Sequence, residues 1–226
     1  MIERRRCPRS AANPAMPQKK KKSPAQPKFA RQPAEARREM LIDAGLACLA
    51  RDGILGFTID RICAEAKVSR GLITHHFKSI DGLLAAVYET MYGKALAVIE
   101  GPGVAATPEA RLVDIIDSMF SREFFNRESL NIWLALWGEI ANNPALLKVH
   151  RKQYARYRAD IERALQDVAN ARGLTIDASF VAMMLVSLVD GLGLEWCIEP
   201  KLLSAKTARE ACFKLLEPIL GPLKKD

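Results

Sequence analysis

"TIDRICAEAKVSRGLITHHF", residues 58–77, reads as two short helices separated by a turn. Thr58 is an N-cap residue type, and Ile59, Ile62, Cys63 and Ala66 follow the i, i+3, i+4, i+7 spacing of one buried helix face. The second helix, 70–77, is short and polar, with Ser69 placed to cap it. Its segment has apolar residues only at Val68, Leu72, Ile73 and Phe77. Val68, Ile73 and Phe77 suffice to anchor it to its neighbours. Ser69, Arg70, Thr74, His75 and His76 occupy the other side. A helix–turn–helix with one greasy and one polar face needs a third helix across it. The segment just upstream, "EARREMLIDAGLACLARDG" (35–53), supplies one, with Leu41, Ala44, Gly45 and Cys48 on a common face and Gly53 as its stop.

The polar face suits DNA. Arg70 can donate two hydrogen bonds to guanine O6 and N7, and Thr74 can meet a thymine methyl or bond a base edge. Helix N-termini near Thr58 and Ser69 present backbone N–H groups to phosphates. Gly71 permits close approach, either of a neighbouring helix or of DNA. Periodicity alone also permits a purely structural helical hairpin.

Downstream the pattern stays helical. Asp81 opens a long helix through about Glu100, closed by the "GPG" at 101–103. Further helices read as 108–122, 128–142, 145–171, 177–198 and 205–217, punctuated by Pro108, Pro144, Gly173 and Pro200. The expectation is an all-α protein of nine helices. Residues 1–33, rich in Pro, Lys, Ala and Gln, read as a disordered basic tail.

Charge sharpens this division. The net charge is +8, from 34 Lys and Arg against 26 Asp and Glu. Residues 1–34 hold ten of the basic residues and one acid, leaving 24 bases against 25 acids in 35–226. DNA contact in the folded part must therefore come from a local patch. The "KKKK" run of the tail can bind phosphates without sequence preference. No apolar run follows the early positive charges as a secretory signal would require. "FVAMMLVSLVDGLGLEWCI" (180–198) approaches membrane-spanning length, but Asp190, Glu195 and two glycines favour a helix buried in a protein or dimer core. Five cysteines, widely spaced and without a C-x-x-C pair, point to reduced thiols in a cytoplasm rather than a disulfide framework.

Catalytic and metal chemistry find little support. His75, His76 and His150 stand in no metal-ligand spacing, and neither a P-loop nor a G-x-S-x-G is present. The expectation is a protein that is not an enzyme and that carries no metal or cofactor. A DNA-coating protein acting through its tail is a further alternative.

The run from about Arg37 through Leu84, centred on "TIDRICAEAKVSRGLITHHFKSIDGLL", resembles the DNA-binding signature of TetR-family transcriptional repressors. The resemblance implies a three-helix DNA-binding domain (34–80) and a ligand-binding and dimerisation domain (81–226). It places Arg70, Gly71 and Thr74 at base-contacting positions, and Thr58, Ser69, His75, His76 and Lys78 at or near phosphate-contacting ones. Three positions depart from the family pattern. Lys67 stands where a turn glycine is usual, Thr74 where tyrosine is common, and Ile80 where a basic residue is frequent.

"LNIWLALWGEIANNPALLKVHRKQYARYRADI" (130–161) and "LVDGLGLEW" (188–196) are similar to BetI-like, choline-responsive repressors. Trp133 and Trp137 are i, i+4 neighbours, and Phe120, Phe124 and Phe125 lie nearby in sequence. Aromatic faces beside a carboxylate, Glu139, Asp190 or Glu195, can hold a quaternary ammonium by cation–π attraction, although the same spacing suits a plain core. The candidate ligand-facing residues are Phe120, Phe124, Trp133, Trp137, Asp190 and Trp196. The resemblance implies a homodimer on a palindromic double-stranded operator, released by a small-molecule inducer, choline or a relative. Helices 177–198 and 205–217 carry more apolar surface than one monomer core readily hides, which fits a four-helix dimer interface. A multidrug-sensing repressor of the same family is the other reading.

Overall fold

A computed structural model describes residues 33–100 and 106–223. Among them are nine α-helices and no strand: α1 (Ala34–Asp52), α2 (Ile59–Ala66), α3 (Gly71–Phe77), α4 (Ile80–Glu100), α5 (Pro108–Met119), α6 (Arg127–Ile140), α7 (Pro144–Ala171), α8 (Ala178–Ile198) and α9 (Ala205–Leu220). The basic tail and the "GPG" break lie outside the described residues.

Side-chain caps decide where most of these helices begin. Thr58, Thr107, Asn126, Asn143, Asp177 and Ser204 each accept a hydrogen bond from the backbone N–H three residues on, opening α2, α5, α6, α7, α8 and α9. Pro108 and Pro144 occupy the first helical positions, where a missing N–H costs nothing.

Expected boundaries shift by one to three residues, α9 for example running to Leu220 rather than 217, and four differences stand out. Ser69 does not cap α3 through its side chain; its carbonyl accepts from Leu72, and Arg70, in helical geometry, occupies the cap position. α4 starts at Ile80, one residue before Asp81, because the Ser79 hydroxyl accepts the Gly82 N–H at 3.1 Å. α5 ends at Met119, so Phe120 to Phe125 form a turn rather than a helical end. A short 3-10 turn, Ile54–Gly56, sits between α1 and α2 where no element was expected.

Lys67 closes α2 in left-handed geometry, φ 55°, a conformation that costs a residue with a side chain but not glycine. The departure from the family's turn glycine is therefore accommodated by strain, not by a different turn.

Two apolar cores are formed. One gathers Leu41, Leu49, Ile62, Ile73, Phe77, Leu83 and Tyr88, and continues into Ile132 and Leu136 of α6 and Leu146 of α7. Ile73 and Phe77 are the buried anchors of α3, with Val68 and Leu72 packed beside them. Burial of such a side chain contributes about 1.5–3 kcal/mol, enough to hold a helix too short to persist alone. The other core joins α5, α7, α8 and α9 through Leu112, Ile116, Ile161, Leu165, Leu185 and Leu216. α4 packs along α7, and the Asn143 amide donates to Asp81 at 2.9 Å where the two helices begin. α6 packs on α1, with Asn131 donating to the Ala50 carbonyl.

α8 is long and apolar enough to cross a membrane by length and composition, as is α4. In this fold α8 lies against α6, α7 and α9. Its outer side exposes Phe180, Met183, Leu194 and Ile198, spaced so that they share one stripe.

Candidate functional site

The polar face of the helix–turn–helix is presented as expected. Thr58, Ser69, Arg70, Gly71, Thr74, His75 and Lys78 are exposed, and His76 is half-buried with its ring edge-on to His75. A Cβ at Gly71 would meet no atom within 4 Å, so the glycine does not serve helix packing. Gly82 does. A Cβ at that position would lie 2.1 Å from the Phe77 carbonyl oxygen, so the start of α4 can seat against the end of α3 only without a side chain. Arg70 is not free in this state. Its Nη2 lies 2.5 Å from Oδ1 of Asp60 on α2, with both side chains largely exposed.

A cavity of about 100 Å³ lies between α4, the α5–α6 turn, α6, α7 and α8. Seven aromatic side chains line it, among aliphatic ones: Tyr92 from α4, Phe124 and Phe125 from the turn, Trp133 and Trp137 from α6, and Tyr154 and Tyr157 from α7. Trp133 stands edge-on to Tyr92 at 5.0 Å and stacks with Trp137 at 6.0 Å. Asp190 from α8 is the carboxylate in this wall. Burial pushes its pKa up to about 6, and its charge in turn helps to hold the Tyr92, Tyr154 and Tyr157 phenols un-ionised beyond the effect of their own burial. A partly buried carboxylate sharing a cavity wall with aromatic rings can attract a cation through both groups.

The family profile for bacterial regulatory proteins of the tetR family matches residues 41–87. The C-terminal profile of BetI-type transcriptional repressors matches residues 108–221, half of the chain. The chain belongs to the TetR family. The HTH-type transcriptional regulator BetI 2 of Chromohalobacter salexigens is 30% identical to this regulator over 187 residues, covering 81% of this chain and 88% of its relative. A structure described as a transcriptional regulator of Pseudomonas aeruginosa superposes with a TM-score of 0.76 at 34% identity, covering 84% of this chain and 93% of the other. A transcriptional regulator of Saccharomonospora viridis, solved in complex with choline, superposes with a TM-score of 0.72 at 23% identity over 82% of this chain and 97% of the other.

The regulator brings four of its six expected ligand-facing residues to one cavity: Phe124, Trp133, Trp137 and Asp190. Phe120 and Trp196 stand behind Phe125, with ring centroids 5.3 Å from it in both cases, and support the wall rather than form it. Neither Glu139 nor Glu195 lines the cavity. Tyr92, Tyr154 and Tyr157 complete the wall and were not anticipated. The Tyr154 and Tyr157 spacing within "KQYARYRAD" was visible on a helix, but nothing local said that this face turns inward. Among the described residues no cluster of His, Cys, Asp and Glu is suited to a metal ion.

Proposed function

We propose that the regulator is a repressor that binds a palindromic operator as a homodimer and leaves it when a small organic cation of the choline class enters the α4–α8 cavity. The observation that carries this reading is the placement of Asp190, a half-buried carboxylate, within a wall that holds two tryptophans and three tyrosines. A compact cation without N–H groups loses little by leaving water for such a site, and the aromatic faces replace the hydrogen bonds it cannot donate. The choline-bound structural neighbour supports the same class of ligand.

Residues 34–80 read the DNA in this proposal. Arg70, Gly71 and Thr74 meet bases, and Thr58, Ser69, His75, His76 and Lys78 meet phosphates, with residues 81–226 binding the ligand and the second protomer. The apolar stripe of α8 supports the dimer. Phe180, at 53% exposed, and Ile198, at 74%, sit at its ends, with Gly191 between them leaving room for close helix approach. Two recognition helices in a two-fold dimer then reach successive major grooves about 34 Å apart. Such a protein works on DNA in the cytoplasm, without a membrane.

Calorimetric titration of the full-length protein with choline, with betaine aldehyde and unrelated amines alongside, tests the reading. Saturable binding of choline, weakened by Asp190→Asn, is the expected result. Binding of bulky unrelated amines in preference to choline would move the regulator to the multidrug-sensing class.

A further inference from the structure

We infer that Asp60 is a positioning residue for base readout: it holds Arg70 in place for guanine and withholds it from phosphate. The inference rests on Arg70 being the base-reading residue proposed above.

The ion pair joins the first turn of α2 to the start of α3, bridging the two halves of the motif on its exposed polar face. Other acid–base pairs nearby have a different task. Arg51 with Glu65, and Arg61 with Asp52, knit α1 to α2 and so hold the scaffold together. The Asp60–Arg70 pair is 65% and 72% exposed on its two sides. A pair so open to water adds little to stability, so its effect falls on what Arg70 does when DNA arrives.

Two consequences follow from the chemistry of the pair. A guanidinium has five N–H donors in a fixed plane, and Asp60 engages one corner, Nη2. The remaining donors can still pair with guanine O6 and N7, and the long side chain has already surrendered part of its rotamer freedom. A phosphate fares worse. It brings negative charge beside the Asp60 carboxylate, and an Arg70 already neutralised releases fewer counterions. Asp60 thus weakens binding to arbitrary DNA while preserving the base contact, which raises selectivity.

The test compares full-length wild-type protein, Asp60→Asn, Asp60→Glu, Arg70→Ala and the Asp60→Asn/Arg70→Ala double variant. The two probes are the duplex that the wild-type protein selects from a random-sequence pool and a scrambled duplex of equal length. Asp60→Asn is expected to tighten binding to the scrambled duplex and to lower selectivity about tenfold. It should also steepen the salt dependence on scrambled DNA by roughly one unit of log–log slope. Asp60→Glu, which keeps the charge, should recover part of the selectivity. In the Arg70→Ala background the Asp60 change should leave selectivity unaltered.

If Asp60→Asn tightens both duplexes by the same factor while Arg70→Ala lowers selectivity, Arg70 reads bases and Asp60 does not position it. If Arg70→Ala leaves selectivity intact, the base-reading assignment itself falls and the inference falls with it. A lower melting temperature for Asp60→Asn with unchanged selectivity would assign Asp60 to the N-terminus of α2 alone, which also overturns the inference.

Discussion

The Tyr88 hydroxyl on α4 lies 2.6 Å from Nδ1 of His150 on α7, and Tyr88 is wholly buried. Tyr88 also touches Trp133 and Tyr92, both in the wall of the cavity, with ring centroids 6.0 and 5.0 Å away. One turn of α4 therefore connects the cavity to the core beneath the helix–turn–helix. Tyr88→Phe removes the hydrogen bond and should destabilise the fold by about 1 kcal/mol, read from urea unfolding. It should also weaken the effect of ligand on DNA binding, while affinity for the ligand alone changes little. The imidazole adds a pH dependence. Burial, with Arg151 second, lowers the His150 pKa. The folded state then resists a proton that the unfolded chain accepts near pH ~6.5, so this residue's contribution to stability is present above that pH and is lost as pH falls toward the depressed folded value.

Asp190 has the opposite sign. Its pKa is raised from 3.8 to about 6, so its folded form favours the proton, and stability from this group is present below pH 3.8 and lost as pH rises to about 6. Ionised Asp190 costs stability at neutral pH, and in the proposed function it is the form that attracts the cation. Choline affinity should therefore fall about tenfold between pH 7 and pH 5. Asp190→Asn should abolish that pH dependence, weaken choline binding, and stabilise the ligand-free fold at pH 7 by on the order of 1–3 kcal/mol. An unchanged pH profile in the Asn variant would remove Asp190 from the site.

Gly82→Ala should be the more damaging of two single-atom tests of the DNA-binding half. The added Cβ meets backbone, the Phe77 carbonyl oxygen at 2.1 Å, which cannot swing aside like a side chain. A loss of about 1–3 kcal/mol is expected, together with displaced α3 resonances and weaker operator binding. Gly71→Ala meets nothing within the protein and should leave the melting temperature nearly unchanged. Any loss of DNA affinity there reports close approach of the duplex.

Lys67→Gly should stabilise. The lysine occupies φ 55°, ψ 45° at the C-cap of α2, where glycine escapes the steric cost of a Cβ. The gain is about 0.5–1 kcal/mol after the larger chain entropy of glycine is counted, visible as a raised melting temperature.

Local chemistry explains what was legible in the sequence. Thr58, Pro108 and Pro144 announced the starts of three helices, because a cap or a first-turn proline acts within a few residues of itself. The strained lysine was visible as a non-glycine where a turn glycine is usual. Ser69 misled because a serine before a helix resembles a cap, while here α3 begins later and takes Arg70 as its boundary. The cavity was half legible. Trp133 and Trp137 share one helix, and Asp190 stood out as a charge in an apolar run. Tyr92 and Tyr157 come from α4 and α7, far apart in the chain, and meet at 5.9 Å only through the packing of those helices. Phe120 and Trp196 were nearby in kind but stand behind Phe125, a distinction of depth that spacing does not carry.

In the proposed function the cation and the operator compete through one protein, and linkage measures that competition directly. Operator affinity of the full-length protein is measured by fluorescence anisotropy with and without saturating choline, and choline affinity is measured by calorimetry with and without saturating operator. Choline is expected to weaken operator binding, and operator to weaken choline binding, by the same factor, on the order of 5–150-fold. Choline that binds the cavity while operator affinity stays the same would overturn the proposed inducer role.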